Sequence, residues 1–336
     1  MLRLPRFQLV EPTTWTDAAR LLREHGAAES DVARGTPSVP VMLVAGGTDL
    51  FPNMKRRQFT PQILISLGRV KGARDISNGS GLQISAGATL TEVAGHPTVI
   101  AKYTALSQAA GAVSTPQLRN MGTIGGNLCL DTRCNWYDQS LFWRTAEGYC
   151  MKTHPEVVCR VAPSSPRCLA VASADTVPAL IALGAKVTVE NASGRRDLDL
   201  AELYREDGIR YMAIGRDDVL VSVTLPDATG WRSTYVKLRD RNSFDFPIAG
   251  VAAAVRLEGR TVRDARIAIT GVASRPLAID ARALVGTKLE DDAIAAAADV
   301  VHKGSRPMDN TSGTISQRKR ASRVFTERAL RSLRDA

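Results

Sequence analysis

Five cysteines, Cys129, Cys134, Cys150, Cys159 and Cys168, stand between positions 129 and 168 of a 336-residue chain that has no other cysteine. Cysteines buried as small hydrophobes would be scattered, so this grouping points to thiolate chemistry. An iron–sulfur cluster takes four thiolates, and Cys134, Cys150, Cys159 and Cys168 follow one another at intervals of 16, 9 and 9 residues, enough chain to wrap a cubane from successive turns. Cys129 is then left over. Zinc and no metal stay open, although the paired C-x-x-C hooks of structural zinc and the C-x-x-C-x-x-C run of ferredoxins are both absent. Disulfides do not suit a reducing compartment and an odd count. His154 lies within the same stretch and is read as a solvated loop residue, with replacement of one thiolate as the alternative.

Two glycine turns supply a second chemistry. Ala45-Gly46-Gly47-Thr48-Asp49-Leu50 follows the strand-like VMLVA, and such a turn can present successive backbone N–H groups to a diphosphate. Thr123-Ile-Gly125-Gly126-Asn127 adds a second Gly-Gly turn with a hydroxyl and an amide, so the two loops are expected to grip one pyrophosphate from both sides. The alternative reading of each is a tight turn. Neither G-x-G-x-x-G nor a P-loop occurs.

The elements that position these loops follow from periodicity. Thr14 and Asp17 have capping-box-like spacing before Trp15, Ala18, Ala19 and Leu22, which predicts a helix ending at Gly26, then a Pro-, Gly- and Ser-bearing loop. Strands are expected at 41–45, 63–67, 82–88, 185–190 and 218–225, and helices at 98–111 and 176–183. The stretch from about 128 to 169 is weakly periodic and reads as an insert held by a ligand. After a boundary at 226–230, strands at 234–238, 248–257 and 261–271 precede helices near 278–285, 290–303 and 315–333. This is an α+β pattern. The last helix is read as amphipathic, with Val324, Phe325 and Leu333 on its apolar side.

Lys and Arg number 44 against 34 Asp and Glu, a net charge of +10, which suits anionic partners. No nucleic-acid-binding signature accompanies that charge. No apolar run is long enough for a membrane span or a signal peptide, so no membrane association and a cytoplasmic location are expected. Arg133, Arg144, Lys152, Arg160 and Arg167 are expected to form a basic surface around the insert that steers an acidic electron carrier.

AGGTDLFPNMK, TPQLRNMGTIGGN and SADTVPALIALGA, in this order and spacing, resemble the flavoprotein subunits of the xanthine dehydrogenase and carbon monoxide dehydrogenase family of molybdenum hydroxylases. GVASRPLAIDARALVG and PMDNTSGTISQRKRASRVFTERAL resemble that family's C-terminal domain. The resemblance implies FAD bound by a PCMH-type, vanillyl-alcohol-oxidase-like domain over residues 1–226, with subdomains of about 1–61 and 62–226. A C-terminal carbon-monoxide-dehydrogenase-flavoprotein-like α+β domain would span 230–336. It implies that Ala45, Gly46, Gly47, Thr48, Asp49, Leu50, Thr123, Gly125, Gly126 and Asn127 surround the diphosphate region, and that Ser114, Asp175 and Lys237 lie near the flavin. In the SASAD segment around Asp175 the proline and glycine of the family's S-P-A-G-D are missing.

The flanks of the insert, NLCLDTRCNWYDQ and VAPSSPRC, resemble the 4-hydroxybenzoyl-CoA reductase branch, whose flavoprotein carries an additional 4Fe-4S cluster. That likeness implies a large molybdopterin-cofactor subunit, a small 2Fe-2S subunit, ferredoxin as electron donor and a dimer of heterotrimers. It assigns no bond-making residue to this chain, whose work would be electron transfer. The competing expectation is an ordinary FAD subunit of a xanthine dehydrogenase-like or carbon monoxide dehydrogenase-like complex.

Overall fold

Thr14 Oγ1 accepts a hydrogen bond from the Asp17 amide at 3.0 Å, which satisfies one orphan donor and starts the first helix. In this computed structural model residues 3–26 and 39–335 are described; most of the loop expected after Gly26 lies outside them. Helix α1 (Trp15–Glu24) buries Trp15, Ala18, Ala19 and Leu22 and the chain leaves it at Gly26. Strands β1 (Gln8–Val10), β2 (Val41–Val44) and β3 (Ile63–Ser66) form a parallel sheet in the order β1-β3-β2, with the short helix α2 (Leu50–Lys55) between the last two. The third strand of this sheet lies past the expected subdomain division near residue 61.

The second sheet is antiparallel and five-stranded, in the order β4 (Ile76–Asn78), β5 (Gly81–Ser85), β8 (Val219–Pro226), β6 (Lys186–Asn191) and β7 (Gly194–Asp199). Between β5 and β6 run the helices α3 (Leu90–Gly95), α4 (Pro97–Lys102), α5 (Thr104–Ala112), α6 (Pro116–Arg119), α7 (Ile124–Leu128), α8 (Leu141–Ala146) and α9 (Thr176–Ala182). The single helix expected at 98–111 is two. Tyr103 breaks it: its buried side chain anchors to the Pro226 carbonyl at 2.8 Å, and its backbone is not helical.

The C-terminal sheet is formed by β9 (Trp231–Leu238), β10 (Ala249–Glu258), β11 (Thr261–Thr270) and β12 (Leu277–Ile279), covered by α10 (Asp291–Gly304) and α11 (Ile315–Asp335). A helix was expected near 278–285; instead Leu277–Ile279 pairs antiparallel with β11, and a 3₁₀ turn follows at Arg282–Leu284. Pairing at the sheet edge supplies the backbone hydrogen bonds that this short run would otherwise need a helix to make. In α11, Phe325 and Leu333 are buried but Val324 is 38% exposed, so Val324 belongs to the solvent side.

Strand β10 joins two cores. Its alternation sends Ala252 and Ala254 into the large core shared by the first two sheets. Val251, Ala253 and Val255 enter a separate core with Phe325 and Leu330. Small alanines on one side let α5 and α9 lie close to the sheet. No described helix is long and apolar enough to cross a membrane.

Candidate functional site

The loop between β2 and α2 and the turn leading into α7 face each other across a cavity of about 310 Å³, within the range of small-molecule sites. Ala45 to Leu50, Ser114, Thr123, Gly125, Gly126 and Asn127 all border it. The first loop has a ready set of donors: the amides of Gly46, Gly47, Thr48 and Asp49 have no acceptor within the described chain. Gly46 is required by close approach, since a Cβ there would stand 1.8 Å from the Met121 carbonyl oxygen. Strand, loop and turn are thereby locked together.

The second turn is built differently from the first. Its amides are spent internally: Ile124 donates to Ala88 O, Gly125 to Ala86 O, Gly126 to Thr123 Oγ1 and Asn127 to Thr123 O, at 2.8–3.0 Å. Asn127 Oδ1 is also occupied, accepting from the Thr176 amide at 3.2 Å and the Thr176 hydroxyl at 2.6 Å, so it caps α9. A two-sided grip by backbone amides is therefore not built. The turn contributes shape, because Gly125 packs where a Cβ would lie 2.7 Å from that of Ala86.

Asp175 and Lys237 are brought together but are not among the residues bordering the cavity. Asp175 Oδ1 accepts from Tyr235 OH at 2.7 Å, and Oδ2 from Lys237 Nζ at 2.9 Å. Burial pushes the Asp175 carboxyl up and the Lys237 ammonium down, while the attraction between them opposes both shifts. Lys237 Nζ also donates to Ala112 O at 3.0 Å and Asp245 O at 2.8 Å. The pair thus braces, from behind, the segments that end in Ser114 and Phe246 on the cavity wall.

The insert folds as α8 and a series of turns around Cys134, Cys150, Cys159 and Cys168, all free and buried, while Cys129 is half-buried on the cavity side. Cys134, Cys150 and Cys168 share one apolar compartment with Tyr137 and Ala170; Cys159 is buried outside that group. Burial pushes the Cys134 thiol up to about 12, with Cys168 and Cys150 adding to the shift and the Trp136 amide opposing it. Cys168 is pushed up to about 11, again mainly by burial; the Lys152 charge opposes this, and Cys159 and Cys150 reinforce it. The thiols feel one another electrostatically. Among the described residues, however, no three His, Cys, Asp or Glu side chains converge as a single metal ion requires. His154 instead stacks on Tyr149 with ring centroids 3.8 Å apart.

Three of the five cations expected on a basic surface are buried: Arg133, Arg144 and Lys152. Charged heads at that depth need partners. Arg144 donates to the carbonyls of Arg56 and Arg57. Arg133 pairs with Asp49 of the first loop and with Asp138 at 3.2 Å, and Asp138 Oδ2 accepts from the Cys134 amide at 3.2 Å. The cavity loop and, through Asp138, the backbone of Cys134 are therefore tied to the same guanidinium. Lys152 pairs with Asp131 at 2.7 Å. Arg160 and Arg167 alone of the five are exposed. Sequence reasoning missed these internal pairs; the mixture of signs in LDTRCNWYD was the available signal. It also missed Asn310, whose Nδ2 donates to Leu169 O at 2.7 Å while its backbone carbonyl accepts from the Asn135 amide at 2.8 Å.

Residues 5–228 match the family described as the FAD binding domain in molybdopterin dehydrogenase. The chain belongs to this family. Residues 233–333 match the carbon monoxide dehydrogenase flavoprotein C-terminal domain. Among relatives, the aldehyde oxidoreductase FAD-binding subunit PaoB of Escherichia coli (strain K12) is 32% identical over 75% of this chain and 81% of its own length. The carbon monoxide dehydrogenase medium chain of Hydrogenophaga pseudoflava is 27% identical over 97% of this chain and 96% of its own. A solved structure of carbon monoxide dehydrogenase from that organism, lacking the Mo-pyranopterin moiety of the molybdenum cofactor, superposes with a TM-score of 0.77, covering 98% of this chain and 97% of its counterpart at 27% identity. The chain binds FAD. The donor-rich first loop fits the diphosphate of that cofactor, because amides held without internal acceptors are suited to an anion.

Proposed function

We propose that this chain carries FAD and a 4Fe-4S cluster as the electron-relay subunit of a molybdenum enzyme of the 4-hydroxybenzoyl-CoA reductase type. Its partners are a large molybdopterin-cofactor subunit and a small 2Fe-2S subunit in a dimer of heterotrimers, with ferredoxin as donor. The reaction served is reductive dehydroxylation to benzoyl-CoA on the large subunit. Four buried thiols within one insert, beside the cavity, carry the reading. A single tetrahedral ion holds thiolates about 2.3 Å from the metal and hence about 3.8 Å from one another, whereas a cubane holds them farther apart. Cys134, Cys150 and Cys168 share one apolar compartment, with Cys159 buried outside it, and the cluster reading requires all four to close on one group. Ligation also resolves the cost of burying thiolates, because metal binding deprotonates a thiol outright.

When bound, FAD supplies exchange between one-electron and two-electron carriers. The residues do the rest. Ala45–Leu50 offers amides to the diphosphate, Thr123, Gly125, Gly126 and Asn127 shape the opposite wall, and Ser114 borders it. Asp175 and Lys237 hold the Ser114 and Phe246 segments in place; Cys134, Cys150, Cys159 and Cys168 hold the cluster; Cys129 holds neither.

Iron and acid-labile sulfide on the anaerobically purified complex test this: about four irons beyond those of the partner subunits are expected. Serine at Cys134, Cys150, Cys159 or Cys168 should remove them, and serine at Cys129 should not. Absence of this iron from the wild-type complex would overturn the cluster. A second reading, aldehyde oxidation by the large subunit, is favoured by the 32% identity to an aldehyde oxidoreductase subunit. Turnover of 4-hydroxybenzoyl-CoA with reduced ferredoxin supports the first reading; turnover of aldehydes alone supports the second.

A further inference from the structure

Among the described residues that border the cavity, Phe246 alone comes from the C-terminal match. It is 44% exposed. A single exposed phenylalanine on an outer surface needs no explanation, but on the wall of a cofactor cavity it offers apolar area and a π face to a planar ring. One face of the Phe246 ring is already taken. The Arg133 guanidinium lies over it, 4.4 Å from the ring centre, and Arg133 is paired in turn with Asp49 of the donor loop and with Asp138. The opposite face is left to the cavity.

The backbone that carries this ring is held at several points. Phe246 stands in the connection between β9 and β10, which Ile248 closes by donating its amide to Leu238 O at 2.9 Å. Asp245 O accepts from Lys237 Nζ at 2.8 Å, the Asp245 carboxylate accepts from the Arg241 amide at 2.7 Å, and the Phe244 amide donates to Ser114 O at 3.0 Å. A side chain fixed in advance loses little freedom on binding. Phe244, two residues earlier, is 59% exposed but does not border the cavity and lies beside the Arg241 guanidinium instead. Of two exposed rings in one connection, only one meets the cavity.

FAD has two planar rings, and the walls of the cavity differ. Leu22, Val41 and Leu220 line it from α1, β2 and β8, which pack against one another, and all three side chains are buried. That wall is closed and aliphatic, whereas Phe246 stands where the cavity meets solvent. The reactive ring of a relay cofactor has to meet a carrier outside the chain. The isoalloxazine therefore belongs on the open side and the adenine against the aliphatic wall.

We propose that Phe246 is the ring-stacking residue of the cavity: it takes the isoalloxazine of FAD on the face that Arg133 leaves open, and so brings the C-terminal domain into the cofactor site. Arg133 is the positioning residue that fixes the plane of the ring. The stack depends on FAD and on no cluster.

The test titrates the complex, stripped of FAD, with FAD and separately with ADP, which carries the diphosphate and the adenine but no flavin. Phe246→Ala should weaken FAD binding roughly tenfold, the scale of one ring stacked on an aromatic side chain, and leave ADP affinity at the wild-type value. Phe244→Ala should change neither. Phe246→Trp should restore FAD affinity and add a long-wavelength charge-transfer shoulder to the absorbance of the bound flavin, because indole is the stronger electron donor; a merely structural ring would not produce it. Wild-type FAD affinity in Phe246→Ala would overturn the stack. Equal losses for FAD and ADP would overturn it too, since the ring would then serve the adenine half or the scaffold. A flavin spectrum unchanged in Phe246→Trp would overturn contact with the isoalloxazine.

Discussion

A Cβ at position 46 would meet the Met121 carbonyl at 1.8 Å and the Gly122 amide nitrogen at 2.9 Å, both backbone atoms that cannot swing aside. Gly46→Ala should therefore displace the donor loop from the turn opposite, and FAD content of the purified protein should fall severalfold, measured by absorbance of released flavin. Retention of full FAD would show that the loop can shift without loss. Asp49 illustrates what is legible at this scale. Its place in a glycine turn marks it for the cavity, yet its carboxylate leaves the N-terminus of α2 uncapped and is drawn to Arg133 and Asn53. Glycine spacing reports a turn because backbone conformation is local. The partner of a buried charge depends on residues 84 positions away and leaves no local trace.

The elements divide in the same way. Helices α1, α10 and α11 were legible because their periodicity is written in consecutive residues, with a capping Thr14 before α1, and the strand-like runs of β2, β3 and β10 because they are apolar and bounded by turn residues. The edge strand β12 was not, since its pairing with β11 comes from the tertiary structure rather than from its own three residues. The insert shows the limit most plainly: its cysteines stand out in the sequence, but the residue that braces it lies in the C-terminal domain. Asn310 bridges Leu169 and Asn135, neighbours of Cys168 and Cys134, and is itself held by Arg318, which is fully buried in α11 and also donates to Met308 O at 2.6 Å. Asn310→Ala removes two side-chain hydrogen bonds, each contributing about 1 kcal/mol. We expect faster proteolysis within residues 128–169 with little change in FAD content; unaltered cleavage kinetics would show that the brace is dispensable.

For the whole molecule, the net charge of +10 does not translate into a basic face around the insert, because its buried cations are consumed by internal pairs. Acid stability follows particular carboxylates instead. Burial raises the Asp218 carboxyl, but Arg196, the Gly215 amide and Asn191 outweigh burial and hold it below its usual value. A depressed folded value means stability that is present above the unfolded value and lost as pH falls through the folded one. Asp218→Asn should lower the melting temperature at neutral pH and narrow its gap to wild type as the pH drops through the acid range; a gap independent of pH would refute this. The Asn310 brace has one more consequence, for biogenesis. At a synthesis rate of 5–20 residues per second, the residue that ties the insert together emerges roughly 7–28 s after Cys168. A nascent chain thus exposes all five thiols before their brace exists, an interval in which an oxidant can reach them.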